Sequence, residues 1–307
     1  MASPLDSSQF VRLLDERLLE VAENQYNELP SMIPTLYRTI NSDSAWEEFY
    51  SVGAVPDIPE FTGKLTSLGI APGYHIKIEP KEHAAEIQSE RKLIDDKKYA
   101  VLDGKVSGLI TAAQRTREKY GARAFSRAFS TAFDFMTSEE GVSLCSSSHT
   151  TKSGTSTSSG FDNSGTSAIS KTSVAATRLL MRRFRNDISE RISISNNLAI
   201  ICPDNLADTA YEITNTPKGL DTAEGNVNPQ YQRYKVIPYM LLDDTDTNDW
   251  FMVDLDAMKK SLIWIDRIKP ELKNTVDFAT YILRMAVYFR CGYGFLDWRW
   301  IYGQNVT

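Results

Sequence analysis

Apolar positions change their period repeatedly along the chain, and each change predicts a different element. Phe10, Leu13, Leu14, Leu18 and Val21 recur at the spacing of one helical face, predicting an amphipathic helix over residues 6–23. After Glu28-Leu-Pro30 the period is lost. Tyr37, Trp46, Phe49, Tyr50, Val52 and Val55 are scattered among Pro34, Pro56 and Pro59, a pattern that suits lying along another surface better than folding alone. Residues 73–96 are mostly polar, and the runs Tyr74–Ile78 and Ile87–Ile94 around Pro80 predict a two-stranded hairpin. So few apolar residues leave such a hairpin marginal in water, and its natural support is a neighbouring molecule. Val106, Leu109, Ile110, Ala113, Tyr120, Ala124 and Ala128 then mark one face of a long helix over residues 105–136. Phe125, Phe129 and Phe133 add a second stripe that predicts burial on two sides.

Between Ser143 and Ser173 the composition turns abruptly to Ser, Thr and Gly, which cannot bury enough apolar surface to order itself and predicts a flexible surface loop. Val174, Met181, Phe184 and Ile188 restart a helix, with Arg178, Arg182, Arg183 and Arg185 on its wet side. Strands are predicted at 198–202, 232–237, 250–254 and 261–266, with a helix at 206–214, so the second half reads as α+β. Near the end, Phe278, Tyr281, Ile282, Met285 and Phe289 share one helical face, predicting a core-facing helix that Gly292 and Gly294 break. Leu296, Trp298, Trp300 and Tyr302 alternate with Asp297, Arg299 and Gly303, predicting a closing strand that anchors the C-terminus.

Composition narrows the function classes. Hydrophobic residues make up 42% and charged ones 24% of 307 residues, ordinary globular proportions with room for a large core. A net charge of -6 argues against a dedicated nucleic-acid binder and permits a shell that merely encloses nucleic acid. No run approaches the roughly 18 apolar residues of a membrane span, and the start lacks a basic-then-apolar signal segment. Cys145, Cys202 and Cys291 are too few and too far apart for a disulfide framework or a CxxC pair, which fits a reducing compartment.

Candidate chemistry is sparse. Cys145 and His149 stand four apart and form the one nucleophile-and-base pairing, yet they lie at the mouth of a flexible loop, poor ground for fixed catalytic geometry. His75 and His83 have no partner at ligand spacing. Asp244-Thr-Asp-Thr-Asn-Asp249 imitates the opening of a calcium loop, but Asp249 stands where Gly is needed and Leu255 where a bidentate Glu is needed. A solvated turn is the simpler reading. With no phosphate-loop, dinucleotide, zinc-protease or nucleophile-elbow motif, the sequence calls for no enzyme, catalytic residue, metal or cofactor.

Four phrases in order resemble the major capsid proteins of tailed bacteriophages, particularly the Mu-like head subunits. They are Gly141-Val-Ser-Leu-Cys-Ser-Ser-Ser-His149, Leu198-Ala-Ile-Ile-Cys-Pro-Asp-Asn-Leu206, the stretch from Val236 through Trp250 to Asp254, and Tyr288-Phe-Arg-Cys-Gly-Tyr-Gly-Phe-Leu-Asp-Trp-Arg-Trp-Ile-Tyr-Gly303. The N-terminal half is similar in layout only, and the Ser/Thr loop is more repetitive than the family pattern. The resemblance implies the α+β tailed-phage major capsid fold. Its layout would be an N-terminal arm at 1–60, an extended hairpin at 61–98, a peripheral domain with a long spine helix and Ser/Thr/Gly-rich loop at 99–174, an axial domain at 175–270, and a return to the peripheral domain at 271–307.

The implied function is assembly into pentamers and hexamers of an icosahedral head that encloses double-stranded DNA. An encapsulin-like compartment is the rival within shells, and a Cys–His hydrolase the rival from another class. The opening at Met1 implies that no scaffold segment is cleaved from this chain, so that scaffold, like portal and any decoration protein, would be a separate partner. The expected location is the virion, with assembly in the host cytoplasm and no membrane partner. Lys77, Lys81, Lys92, Lys97 and Lys98 supply the lysines that part of the wider fold uses in a Lys-to-Asn crosslink, although polar hairpins ordinarily carry lysines.

Overall fold

A computed structural model describes residues 7–218, 227–277 and 279–306, with side chains from residue 16 onward. The first helix, α1 (Ser7–Glu28), is followed by α2 (Ile33–Leu36), β1 (Arg38–Asn41), β2 (Glu47–Val52), β3 (Pro72–Ile78) and β4 (Lys81–Glu90). Then come α3 (Lys92–Asp95), α4 (Tyr99–Ser126), β5 (Met136–Ser138), β6 (Ser164–Gly165) and α5 (Lys171–Met181). The second half holds β7 (Leu198–Cys202), α6 (Ala207–Asn215), β8 (Lys235–Pro238), β9 (Trp250–Asp254), α7 (Leu255–Ser261), β10 (Leu262–Val276), β11 (Ile282–Phe295) and β12 (Ile301–Gln304).

Three sheets share one continuous core. One runs β1-β10-β11-β4, antiparallel except for β1 beside β10. A second runs β6-β12-β9-β7-β8, and the small third β2-β3-β5. Helix α4 lies across β11 and β4 with Leu102, Val106, Leu109, Ile110 and Phe125 buried. Its one deeply buried cation, Arg117, pairs at 3.0 Å with Asp266 of β10, which also accepts the Trp264 indole N–H at 2.9 Å. Helix α1 packs on α4 through Leu18 and Ala22 and is clipped there by Arg17–Asp103 at 2.6 Å. Helix α5 starts where Ser170 and Ser173 exchange side-chain-to-backbone hydrogen bonds, a capping box that satisfies otherwise orphaned N–H groups. Asp254 caps α7 by accepting from Asp256 and Ala257, which stops β9 and turns the chain toward β10.

Several expectations hold: Leu18 and Val21 face the core, strands occupy 198–202 and 250–254, and α6 lies within a residue or two of 206–214. Phe10, Leu13 and Leu14 lie outside the described side chains, as does Phe278.

Four expectations are corrected. The long helix ends at Ser126 instead of 136, so Phe129 and Phe133 reach the core from a turn. The helix of the last thirty residues is a strand: Leu283, Met285, Val287, Phe289 and Cys291 are buried in alternation. Met285 and Phe289 stand four apart, a separation that fits a helical face and a strand face equally. Gly292 and Gly294 lie inside that strand, where a Cβ on Gly294 would meet Ile78 Cδ1 at 2.6 Å, so glycine lets the strand pass close beneath β3. The predicted strand over 296–302 is a turn through Trp300 followed by β12.

The fourth correction concerns the predicted hairpin. Tyr74–Ile78 pairs with β2 and β5, whereas Ile87 pairs with β11 and Ile94 belongs to α3, so the two runs sit in different sheets. In this part of the chain the hairpin that forms is β2–β3, closed by residues 53–71.

Candidate assembly surfaces

The closing Asp297-Trp-Arg-Trp300 turn is held from several directions. Trp298 stacks face to face on His149 at 4.1 Å, meets the edge of Phe184 at 5.2 Å, and carries the Arg299 guanidinium 4.8 Å from its ring centre. Arg299 donates to the Arg185 carbonyl at 2.7 Å, to Asp187 at 2.7 Å and to Asp297 at 2.9 Å. Asn163, fully buried, donates to the carbonyls of Leu144 and Ile301 and accepts the Ser146 N–H at 2.7 Å. Apart from the two-residue β6 and the first turn of α5, the Ser/Thr/Gly-rich segment is therefore loop, but it is pinned: Leu144, Cys145, His149 and Phe161 are buried while most of 152–160 is exposed. Sequence reading missed Asn163, because a single amide in a polar tract carries no periodic signal.

Cys145 and His149 come close in sequence and serve separate purposes. Both ring nitrogens of His149 are occupied, by Glu140 at 3.2 Å and Asn163 at 3.0 Å. The Cys145 thiol packs against Gly303, and burial pushes its pKa up, away from a reactive thiolate. The arrangement pins a loop and lacks an activated nucleophile. A cavity of about 130 Å³ lies beside Trp298, lined in part by Lys152, Glu140, Asp187 and Arg299. Its charges are spent internally, Lys152 on Glu139 at 2.6 Å and Arg299 on Asp187.

The other candidates are structural as placed. His75 bonds Glu139 at 2.9 Å, and Lys152 together with His75 hold that carboxylate down to about 2. His83 sits between Phe289 and Tyr120 at 5.0 and 5.1 Å, and burial lowers its pKa. In the 244–249 turn, Asp246 accepts the N–H groups of Asn248 and Asp249, and Asp249 accepts that of Val306. Among the described residues no cluster of three or more His, Cys, Asp or Glu could hold a metal ion. No described helix is long and apolar enough to cross a membrane. The five lysines are spread over β3, β4, α3 and the approach to α4 instead of one hairpin, with Lys77 4.3 Å over the Trp46 ring.

The β2–β3 hairpin is where apolar surface is left open. Trp46, Tyr50, Val52, Val55, Ile58, Phe61, Leu65 and Ile70 are all exposed, with Ile58 at 88% and Leu65 at 85%. The base of the hairpin is tight: Gly53 donates to the Ala71 carbonyl at 2.9 Å, where a Cβ would lie 2.6 Å from that oxygen. So many exposed apolar side chains along one hairpin mark an interaction site.

The mature capsid of bacteriophage PhiM1 contains a chain that superposes with a TM-score of 0.56 at 9% identity, covering 91% of this chain and 88% of that one. For the capsid of a native GTA particle the values are 0.53, 11%, 91% and 91%. For the procapsid of bacteriophage JBD30 they are 0.53, 15%, 100% and 77%. The chain has the α+β fold of tailed-phage major capsid proteins. No protein-family profile and no curated protein matches it.

Proposed function

We propose that the protein is a major capsid protein that assembles into the pentamers and hexamers of an icosahedral phage head and encloses double-stranded DNA. The fold supports this reading, and the observation that carries it is the strip of exposed apolar side chains from Trp46 to Ile70, which no described part of the same chain covers. Copies around a ring would cover it by heterologous contacts. In this reading the arm is 1–60, the extended hairpin 61–98, the peripheral domain 99–174 and 271–307 around α4, and the axial domain 175–270, whose strands β7, β8 and β9 the closing strand β12 extends. The role is structural, without catalytic residue, metal or cofactor.

The Mu-like subtype is part of the proposal. Its support is that two of the resembling phrases meet in space, His149 of the first lying on Trp298 of the last. Scaffold, portal and any decoration protein would be separate partners, assembly would take place in the host cytoplasm, and the product would be the virion. The net charge of -6 suits a lining that tolerates DNA without gripping it.

The test is electron microscopy of the chain co-expressed with its scaffold. Rings and closed shells are expected, and persistent monomers would overturn the proposal. Replacing Ile58, Phe61 and Leu65 together by Ser should abolish shells and leave the monomer's melting temperature within about 2 °C, since exposed positions contribute little to the isolated fold.

A further inference from the structure

The five-stranded sheet presents opposite charges at its two ends. Strands β7 and β8 run parallel, Ala199 beside Lys235 and Cys202 beside Pro238, and β9 runs back along β7. The start of β7 therefore marks one end and its finish the other, about 15 Å apart at the usual rise per strand residue.

The first end is basic. Arg182, at the close of α5, donates to Asn196 just ahead of β7 at 2.6 Å, and Arg178, Arg182 and Arg233 gather around the buried Tyr234 hydroxyl. None of Arg178, Arg182, Arg183 and Arg233 has an ion-pair partner among the described residues. Arg178 Nε is buried with no hydrogen-bond acceptor. The nearby carboxylates are engaged elsewhere: Asp254 holds Ser195 and caps α7, and Asp256 accepts from Asn197 at 3.0 Å.

The second end is acidic. Beyond β7 come Asp204 and Asp208, and beyond β8 come Asp243, Asp244 and Asp246, while residues 203–217 and 236–258 contain no Lys or Arg. Asp243 accepts the N–H groups of Asp204 and Asn205 at 3.0 and 3.3 Å, which ties the two loops into one face. None of these five carboxylates has an ion-pair partner among the described residues. Each end thus repels itself in the isolated subunit.

Exposed apolar side chains accompany both ends. Leu179 and Leu180 stand among the arginines and Tyr231 beside Arg233, while Met240 stands beside the aspartates. Apolar groups within a charged surround match the anatomy of a protein interface.

We propose that these ends are the two halves of one head-to-tail contact, the arginine end of one copy seating against the aspartate end of the next around a ring. This rests on the capsid reading and names the surfaces that would join neighbours. A ring contact is heterologous and needs two different, complementary patches on each subunit, which these ends supply. Nucleic acid would explain the arginines alone. It gives no role to the matching acidic end or to Leu179 and Leu180, which a second copy would bury.

The test uses two variants of the full chain, each expressed with scaffold: Arg182→Glu/Arg233→Glu and Asp208→Lys/Asp244→Lys. All four positions are exposed, so each variant should keep the wild-type circular dichroism spectrum and melt. Each alone should need about 100-fold more protein to form rings, because like charges then face each other across the contact. An equimolar mixture should restore rings, and only even-membered ones, because the two variants must alternate. Hexamers should return and pentamers should not. The chain carrying all four changes should recover both.

Wild-type assembly with variants that assemble equally well alone would overturn the contact and leave the capsid reading standing. A mixture no better than its components would do the same. A defect confined to the arginine variant, seen as lost DNA retention in normal shells, would assign that end to nucleic acid and also overturn the contact. Failure of the wild-type chain itself to form rings would remove the capsid reading and the contact together.

Discussion

Replacing Trp298 by Ala should unfold the junction between the Ser/Thr/Gly-rich loop and the chain's last strand. The indole is 4% exposed and touches His149, Phe184, Phe161 and Arg299. Burying an aromatic of roughly 200 Å² at about 25 cal/mol per Å² is worth about 5 kcal/mol. Ala retains a small part of this, and large-to-small changes in packed sites cost about 3–5 kcal/mol. His149 would also lose its stacking partner while Glu140 and Asn163 still hold it in place, which limits collapse into the gap. A loss of about 4 kcal/mol follows, or roughly 8–16 °C in melting temperature at about 2–4 °C per kcal/mol. Thermal melts of unassembled subunits read this directly, with Trp298→Phe expected near the midpoint because it keeps a ring on His149. Shell yield should fall in step with stability. A shift for Trp298→Ala below about 3 °C would refute the claim that this ring closes the junction.

Two further perturbations test a buried ion pair and a half-buried histidine. Arg117→Ala leaves Asp266 inside the core with only the Trp264 indole as donor and should cost about 3–5 kcal/mol by chemical denaturation. Arg117→Met with Asp266→Leu should recover part of that loss, since the Trp264 N–H then lacks its acceptor. For His83, burial lowers the pKa below its ordinary 6.5, so the unfolded chain binds the proton more readily. The neutral ring's stability is complete above that value and is lost as pH falls below it. The melting temperature should drop between pH 7.5 and 5 more steeply in the wild type than in His83→Phe, and parallel slopes would refute the assignment.

Legibility followed the range of the interactions involved. Strands 198–202 and 250–254 and the start of β10 were readable because continuous apolar runs are buried on both faces within one short window. The β11 sequence reads equally as a helix because Met285 and Phe289 satisfy both periods, and what selects the strand is pairing with β10 on one side and β4 on the other. The partner of Tyr74–Ile78 is illegible for a similar reason. Ile87 was near in sequence, but β2 and β5 supply the hydrogen bonds from either side. At the junction, the crowding of Trp298 and Trp300 does mark a buried anchor, but their alternation with Asp297 and Arg299 comes from a turn in which each side chain has its own partner. The exposed apolar strip left a sequence trace in its proline-broken aromatics, whereas the charged ends needed the fold to bring the 203–208 and 243–246 loops together.

The place of β12 also bears on how the chain is made. This strand lies between β6 and β9, and Ile301 accepts a hydrogen bond from Asn163, 138 residues earlier. Until residues 301–304 leave the ribosome, β9 has an open edge and the Ser/Thr/Gly-rich loop has nothing to close on. Contacts of such sequence separation form late and slowly. A chain cut short before Ile301 would lack the strand that completes the five-stranded sheet, so interrupted translation products would be left out of any ordered lattice. In this fold a strand supplied 46 residues after β9 closes the edge on which the five-stranded sheet depends, so the sheet itself reports whether synthesis has passed Ile301.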